Sequence, residues 1–120
     1  MSFGLESLIP FMEFPLDFTF RNMEPSARLQ EEAQESASKL SKVYSRIQSC
    51  RLVVEALDQR HLKGREFRVQ LHVQVPGDTV HVQKDGLDDL HSLTREAFHS
   101  AGRQLTGLNE RRREKHRTQE

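Results

Sequence analysis

Arg95, His99 and Arg103 fall at i, i+4 and i+8, so on a helix they form one cationic row when the histidine is protonated. Lys39, Lys42 and Arg46 make a second basic group, at the far end of a segment that begins with Glu31, Glu32 and Glu35. Cations in rows of this kind grip phosphates by charge and need no catalytic group beside them. The other reactive residue types have simpler readings. His72 and His81 come opposite each other if a hairpin turns at Pro76-Gly77, and two imidazoles in that register could start a metal site. No Asp, Glu or Cys is fixed nearby as a third ligand, so the expectation is a solvated pair on a polar face and no metal. His91 and His99 lie too far apart on a helix to chelate together. Cys50, the single cysteine, excludes an internal disulfide and reads as a small buried apolar residue in a reducing compartment. Ser36, Ser38, Ser41 and Ser45 belong to no nucleophile elbow or phosphate cradle, and Gly64 and Gly77 are isolated turn glycines. Nothing here supports an enzyme, and no cofactor is expected.

The elements that must position these cations are set by hydropathy. Residues 66 to 83 alternate apolar and polar on both sides of Pro76-Gly77. Phe67, Val69, Leu71, Val73 and Val75 share one face with Val80 and Val82, which predicts a long antiparallel hairpin with one buried face. Leu16, Phe18 and Phe20 alternate with Asp17, Thr19 and Arg21 in a first strand. Pro25 suits the first turn of a helix. The stripe Leu29, Ala33, Ala37, Leu40, Tyr44 and Ile47 gives that helix about five turns. Cys50 to Leu57 form a second strand, central because Val53 and Leu57 on its other face are apolar too. Asp58 to Arg65 form a polar, basic loop. A final helix starts near Asp88, stacks Leu90, Leu93, Ala97, Ala101 and Leu105 inward with Phe98 alongside, and ends at Gly107.

The expected architecture is therefore α+β, in the order β-α-β-β-β-α: a four-stranded sheet with two helices packed on one face. The first crossover joins parallel neighbours and the later strands form an antiparallel meander. The chain, 120 residues long, divides into residues 1–13 as a disordered extension, 14–108 as one domain and 109–120 as a basic, frayed tail. The short run Leu8-Ile9-Pro10-Phe11 has no cation ahead of it and is broken by proline, so neither a signal peptide nor a spanning helix is expected, and the localisation read is cytoplasmic. Net charge is zero, which counts against a simple nucleic-acid binder. The average hides an asymmetry: residues 1–35 hold two arginines against seven carboxylates, whereas residues 102–120 hold six cations against three.

Several strings resemble one family. Phe20-Arg21-Asn22-Met23-Glu24-Pro25-Ser26, Lys39-Leu40, Tyr44-Ser45-Arg46-Ile47, Ser49-Cys50-Arg51-Leu52-Val53-Val54-Glu55, Val75-Pro76-Gly77, Arg95-Glu96-Ala97-Phe98 and Arg103-Gln104-Leu105 are similar, in order and spacing, to the hibernation-promoting factor and ribosome-associated inhibitor family, also called sigma-54 modulation proteins. The likeness covers about residues 14 to 108, and Met12-Glu13-Phe14 resembles the family's usual start, leaving the true start at Met1 or Met12 open. The resemblance implies a fold like a double-stranded-RNA-binding domain and a bacterial stress or stationary-phase factor. It would bind the small ribosomal subunit and its ribosomal RNA in the channel for messenger and the A- and P-site transfer RNAs, inhibiting translation by occupying that space. Longer members continue into a second domain that pairs ribosomes, so this chain is not expected to pair them unaided. Family members use basic residues on both helices; Lys39 and Arg103 match such positions, and helical geometry adds Lys42, Arg46 and Arg95. Arg111, Arg112 and Arg113 extend the RNA-binding set into the tail. Ser36, Ser100 and Gly107 depart from the pattern, standing where members carry lysine. A second reading therefore stays open: a divergent member acting as a protein-interaction module without tight ribosome binding. Under either, a monomer or a weak homodimer through the hairpin edge beside Val80 and Val82 is expected, with no membrane and no small-molecule substrate.

Overall fold

The computed structural model describes residues 14–57, 66–87 and 89–118, the last with side chains as far as Arg111. The elements follow the expected order: β1 Leu16–Arg21, α1 Ala27–Val43, β2 Ser49–Ala56, β3 Glu66–Val75, β4 Asp78–Leu87 and α2 Leu90–Thr118. The four strands lie in the order β1-β2-β3-β4. β1 runs parallel to β2, and the other two pairings are antiparallel. This is the α+β arrangement that the periodicity dictates. The expected extension at residues 1–13 and the loop at Asp58 to Arg65 lie outside the described residues.

Strand alternation sorts the side chains. Cys50, Leu52, Val54 and Ala56 of β2, the five apolar residues of β3, and Val80 and Val82 of β4 are all buried on the helix side. They meet Leu29, Ala33, Ala37 and Leu40 from α1 and Leu93, Ala97, Phe98, Ala101 and Leu105 from α2 in one continuous core. Phe18 and Phe20 pack partly against it from the edge strand. On the opposite face of the sheet, Val53 is the one buried apolar residue among the described residues, 7% exposed between Thr19 of β1 and Gln70 of β3.

Helix ends follow from local polar chemistry. Ser26 caps α1, its hydroxyl accepting the Leu29 N–H at 3.2 Å. Pro25 therefore precedes the cap instead of occupying the first turn. Asp89 does the same for α2, accepting the Ser92 N–H at 3.0 Å. At its other end α1 stops at Val43, and Tyr44 takes an extended conformation while its N–H still reaches the Leu40 carbonyl at 2.9 Å. Tyr44 and Ile47 are buried as the stripe required, but from the connection to β2 and not from the helix. Asn22, with φ 58°, ends β1 and donates through Nδ2 to the Ala56 carbonyl at 3.3 Å, tying the end of the edge strand to β2.

Two further expectations need correction. β4 continues four residues past Gln83, because Lys84 and Gly86 take the inward positions that the alternation assigns to apolar residues. At Gly86 any Cβ would come within 2.9 Å of Leu93 Cδ2, so the missing side chain makes room for the first turns of α2. Outside, Arg68 holds Asp85 through a two-pronged fork at 3.0 and 3.2 Å. The second correction concerns Gly107, which does not end α2: the helix runs on to Thr118. One interior glycine costs about 1 kcal/mol of helix propensity. The arginine-, lysine- and glutamate-rich stretch that follows holds no proline, and Leu108 packs against the core just beyond the glycine.

The hairpin turn carries its own test. Gly77 has φ 75° and no atom within 4 Å of a would-be Cβ, so its only constraint is backbone conformation. Gly77→Ala is expected to lower the denaturant midpoint by the equivalent of about 1–2 kcal/mol, the cost of a left-handed alanine. A neutral result in urea titration would mean that the turn relaxes.

Candidate nucleic-acid interface

α1 and α2 lie side by side over the sheet, and their outward surfaces leave a groove of about 430 Å³. Lys39 reaches it from α1, and Arg95, His99 and Arg103 from α2. The cationic row read from the i, i+4, i+8 spacing thus faces a lysine of the other helix. Its floor is apolar, built from Leu40, Val43, Phe98 and Gly102, with Ser36 and Thr106 completing the walls. Among the described residues no carboxylate lines this groove. Among the described residues Lys39, Arg95 and Arg103 form no salt bridge, and all three are exposed. Arg103 also borders a second hollow against β4, with Ser100, Gln104 and the 81–84 segment.

The remaining candidates are placed differently. Lys42 is exposed on α1 but outside the groove, and Arg46 stands on the turn after that helix, so it does not continue the helical row. Arg111 lies further along α2, beside Leu108, Tyr44 and the Pro76–Asp78 turn, in a shallow hollow of about 320 Å³. Arg112 and Arg113 belong to the helical run of α2, and their side chains lie outside the description. Sequence reasoning missed the floor: Leu40 and Phe98 were assigned wholly to the core, although each is also a wall of the groove.

One acidic residue stands near the start of the groove. Glu32 accepts from His91 Nδ1 at 2.7 Å and meets Arg28 Nε at 3.5 Å. The His91 hydrogen bond is the main cause holding the Glu32 carboxyl below its ordinary value; desolvation opposes it, and the charges of His91, Arg28 and Arg95 add smaller attractions. This pair links the second turn of α1 to the first turn of α2 and engages the charge of Glu32 within the helix pair.

The open face of the sheet behaves otherwise. His72 and His81 are cross-strand partners as the turn position required, their rings stacked with centroids 4.5 Å apart. Among the described residues no three His, Cys, Asp or Glu side chains converge as a metal site. Around the pair the polar side chains satisfy one another: Gln70 with Gln83 at 3.1 Å, Thr79 with Gln74 at 2.8 Å, and Arg68 with Asp85. Cys50 is 2% exposed, and burial pushes its thiol up to about 12, leaving it protonated and unreactive at neutral pH.

His72 supplies a pH test. Partial burial first, then the charges of His81 and Arg51, hold its imidazole below the ordinary value of 6.5. The unfolded chain therefore takes up this proton more readily than the folded one, so stability present above 6.5 is lost as pH falls toward the depressed folded value. His72→Gln is expected to flatten the fall in melting temperature between about pH 7.5 and 5.5, a range that spans an ordinary histidine titration. Parallel melting curves for the two proteins would remove His72 as the cause.

Comparison with solved structures supports the fold. The Protein Y N-terminal domain of Thermus thermophilus superposes with a TM-score of 0.63 at 16% identity, covering 80% of this chain and 96% of that one. A ribosomal subunit interface protein from Coxiella burnetii gives 0.65 at 17% identity, covering 80% and 98%. Among curated proteins, no relative matches in sequence. The sequence model of one family, described as sigma 54 modulation protein / S30EA ribosomal protein, matches residues 16–113, from the first residue of β1 into the basic stretch of α2, and the chain belongs to that family.

Proposed function

We propose that the protein is a cytoplasmic, non-enzymatic, ribosome-associated inhibitor that binds the small subunit in the messenger and A/P-site transfer-RNA channel, through ribosomal RNA. The observation that carries this reading is the convergence of Lys39, Arg95 and Arg103 from two helices on a groove that no carboxylate lines among the described residues. Cations left without ion pairs are available to displace counterions from phosphates, and a rigid two-helix surface suits recognition of folded RNA by shape. Local placement bears on the objection from zero net charge: Glu32 is engaged with His91 and Asp85 with Arg68, and no described carboxylate is among the residues lining the groove. Family membership and the printed description of the Coxiella burnetii protein as a ribosomal subunit interface protein point the same way.

The protein-interaction reading would use the open sheet face or the acidic start of α1, where Glu31 and Glu35 are exposed. On the sheet face the side chains pair with each other across β3 and β4, which leaves fewer groups to offer a partner. Co-sedimentation with separated subunits and vacant ribosomes across a salt series tests the choice. Saturable binding to the small subunit that weakens steeply with salt is expected; no binding even at low salt would transfer the function to a protein partner.

A further inference from the structure

The groove between the helices is more than a strip of charge, and its floor needs a ligand of its own. Val43 is 41% exposed, one of two large apolar side chains exposed among the described residues, and it stands at the groove. Leu40 and Phe98, each only 4% exposed, contribute small apolar edges of the core beside it. Gly102 is not demanded by packing, since a Cβ there would meet Leu40 Cδ2 at 3.6 Å, an ordinary contact. Glycine in a helix interior is unfavourable, so a position that could accept alanine but holds glycine, opposite the small Ser36, points to space kept open. The resulting volume of about 430 Å³ falls in the range of sites that enclose small molecules, roughly 300–1,000 Å³.

We infer that the groove seats one unstacked nucleobase of single-stranded RNA on the floor of Leu40, Val43, Phe98 and Gly102, while Lys39, Arg95 and Arg103 hold the phosphates on either side of it. Charge complementarity commits the occupant: among the described residues every charged side chain at the rim is a cation, beside the neutral Ser36 and Thr106, so the partner is a polyanion, and the floor is apolar, so the partner also presents a flat apolar group between its charges. RNA with unpaired bases has both features, whereas a duplex keeps its bases stacked inside. This inference rests on the RNA-binding reading above and adds a preference for exposed bases.

The test uses the whole protein with methyl groups labelled for NMR, titrated with a single-stranded hexaadenylate, with an abasic hexamer of equal charge, and with adenosine monophosphate. The Leu40 and Val43 methyl resonances are expected to shift saturably with hexaadenylate and not with the abasic strand. Gly102→Leu fills the floor and is expected to weaken hexaadenylate about tenfold more than it weakens the abasic hexamer. Equal affinity for both hexamers, with Gly102→Leu without effect, would overturn the base seat and leave ribosome binding by charge alone. Equal affinity for the mononucleotide and hexaadenylate would overturn RNA as the source and assign the groove to a free nucleotide. Failure of every ligand together with loss of subunit co-sedimentation would instead remove the RNA-binding reading itself.

Discussion

Replacing Lys39, Lys42 and Arg103 together by glutamate is expected to abolish co-sedimentation with small ribosomal subunits at physiological salt. Each lysine or arginine that meets a phosphate contributes about one to the slope of log affinity against log salt, so even residual low-salt binding should show a slope lower by about three. Reversal does more than neutralise, because Lys39→Glu and Arg103→Glu place two carboxylates at a rim that has none among the described residues, and Lys42→Glu adds a third on the exposed surface of α1. Fold damage is not expected to contribute. All three side chains are exposed, and none forms a salt bridge among the described residues, so each change should stay within about 0.5 kcal/mol of stability. The melting temperature is the control. Lys42 lies outside the groove, so the single Lys42→Glu variant should lose less than Arg103→Glu. Unchanged binding of the triple variant would remove the helix pair as the interface.

The fold was legible where one periodicity ruled a whole segment. Alternation over residues 66–75 fixed β3 and, through Pro76-Gly77, the register that brings His72 against His81. It failed at Lys84 and Gly86, since a strand pattern cannot anticipate that Leu93 from another element fills the space above a glycine. It failed again at Gly107, where a residue that commonly ends helices is carried by Leu108 and the helix-forming run behind it. The candidate site was partly legible for the same reason. The row Arg95, His99, Arg103 lies within one helix and needs only a 3.6-residue period, and it lines the groove as a unit. That Lys39 would face this row, that Lys42 would stand outside it and that Arg46 would leave the helix depend on how two helices meet and where α1 stops. Those are tertiary facts. The apolar floor was the least visible feature, because a stripe of Leu40 and Phe98 carries the same signal whether it is covered by the sheet alone or also borders a groove.

Truncating Leu105 tests the scaffold separately from the charges. Leu105 is fully buried on α2 and belongs to the core that joins this helix to the sheet. Leu105→Ala is expected to cost about 2–5 kcal/mol, from lost burial and from the cavity left in a close-packed interior. A domain of this size has about 5–15 kcal/mol in total, so the variant should unfold at a much lower urea concentration and shed many degrees of melting temperature. Its effect on ribosome binding should be different in kind from that of the charge reversal. At low temperature, where the variant is still folded, Arg103 remains two residues away on the same helix and the groove cations keep their places. Binding there should retain the salt slope of the parent protein, and it should collapse on warming together with the loss of helix signal in circular dichroism. The charge-reversed protein should show the opposite pattern: a parental melting curve, with binding absent at every temperature. If Leu105→Ala instead lost binding at temperatures where its helices were intact, the relative position of α1 and α2, and not merely their presence, would control recognition. That outcome would locate specificity in the width of the groove, since a shift of α2 over the sheet moves Arg95 and Arg103 together relative to Lys39.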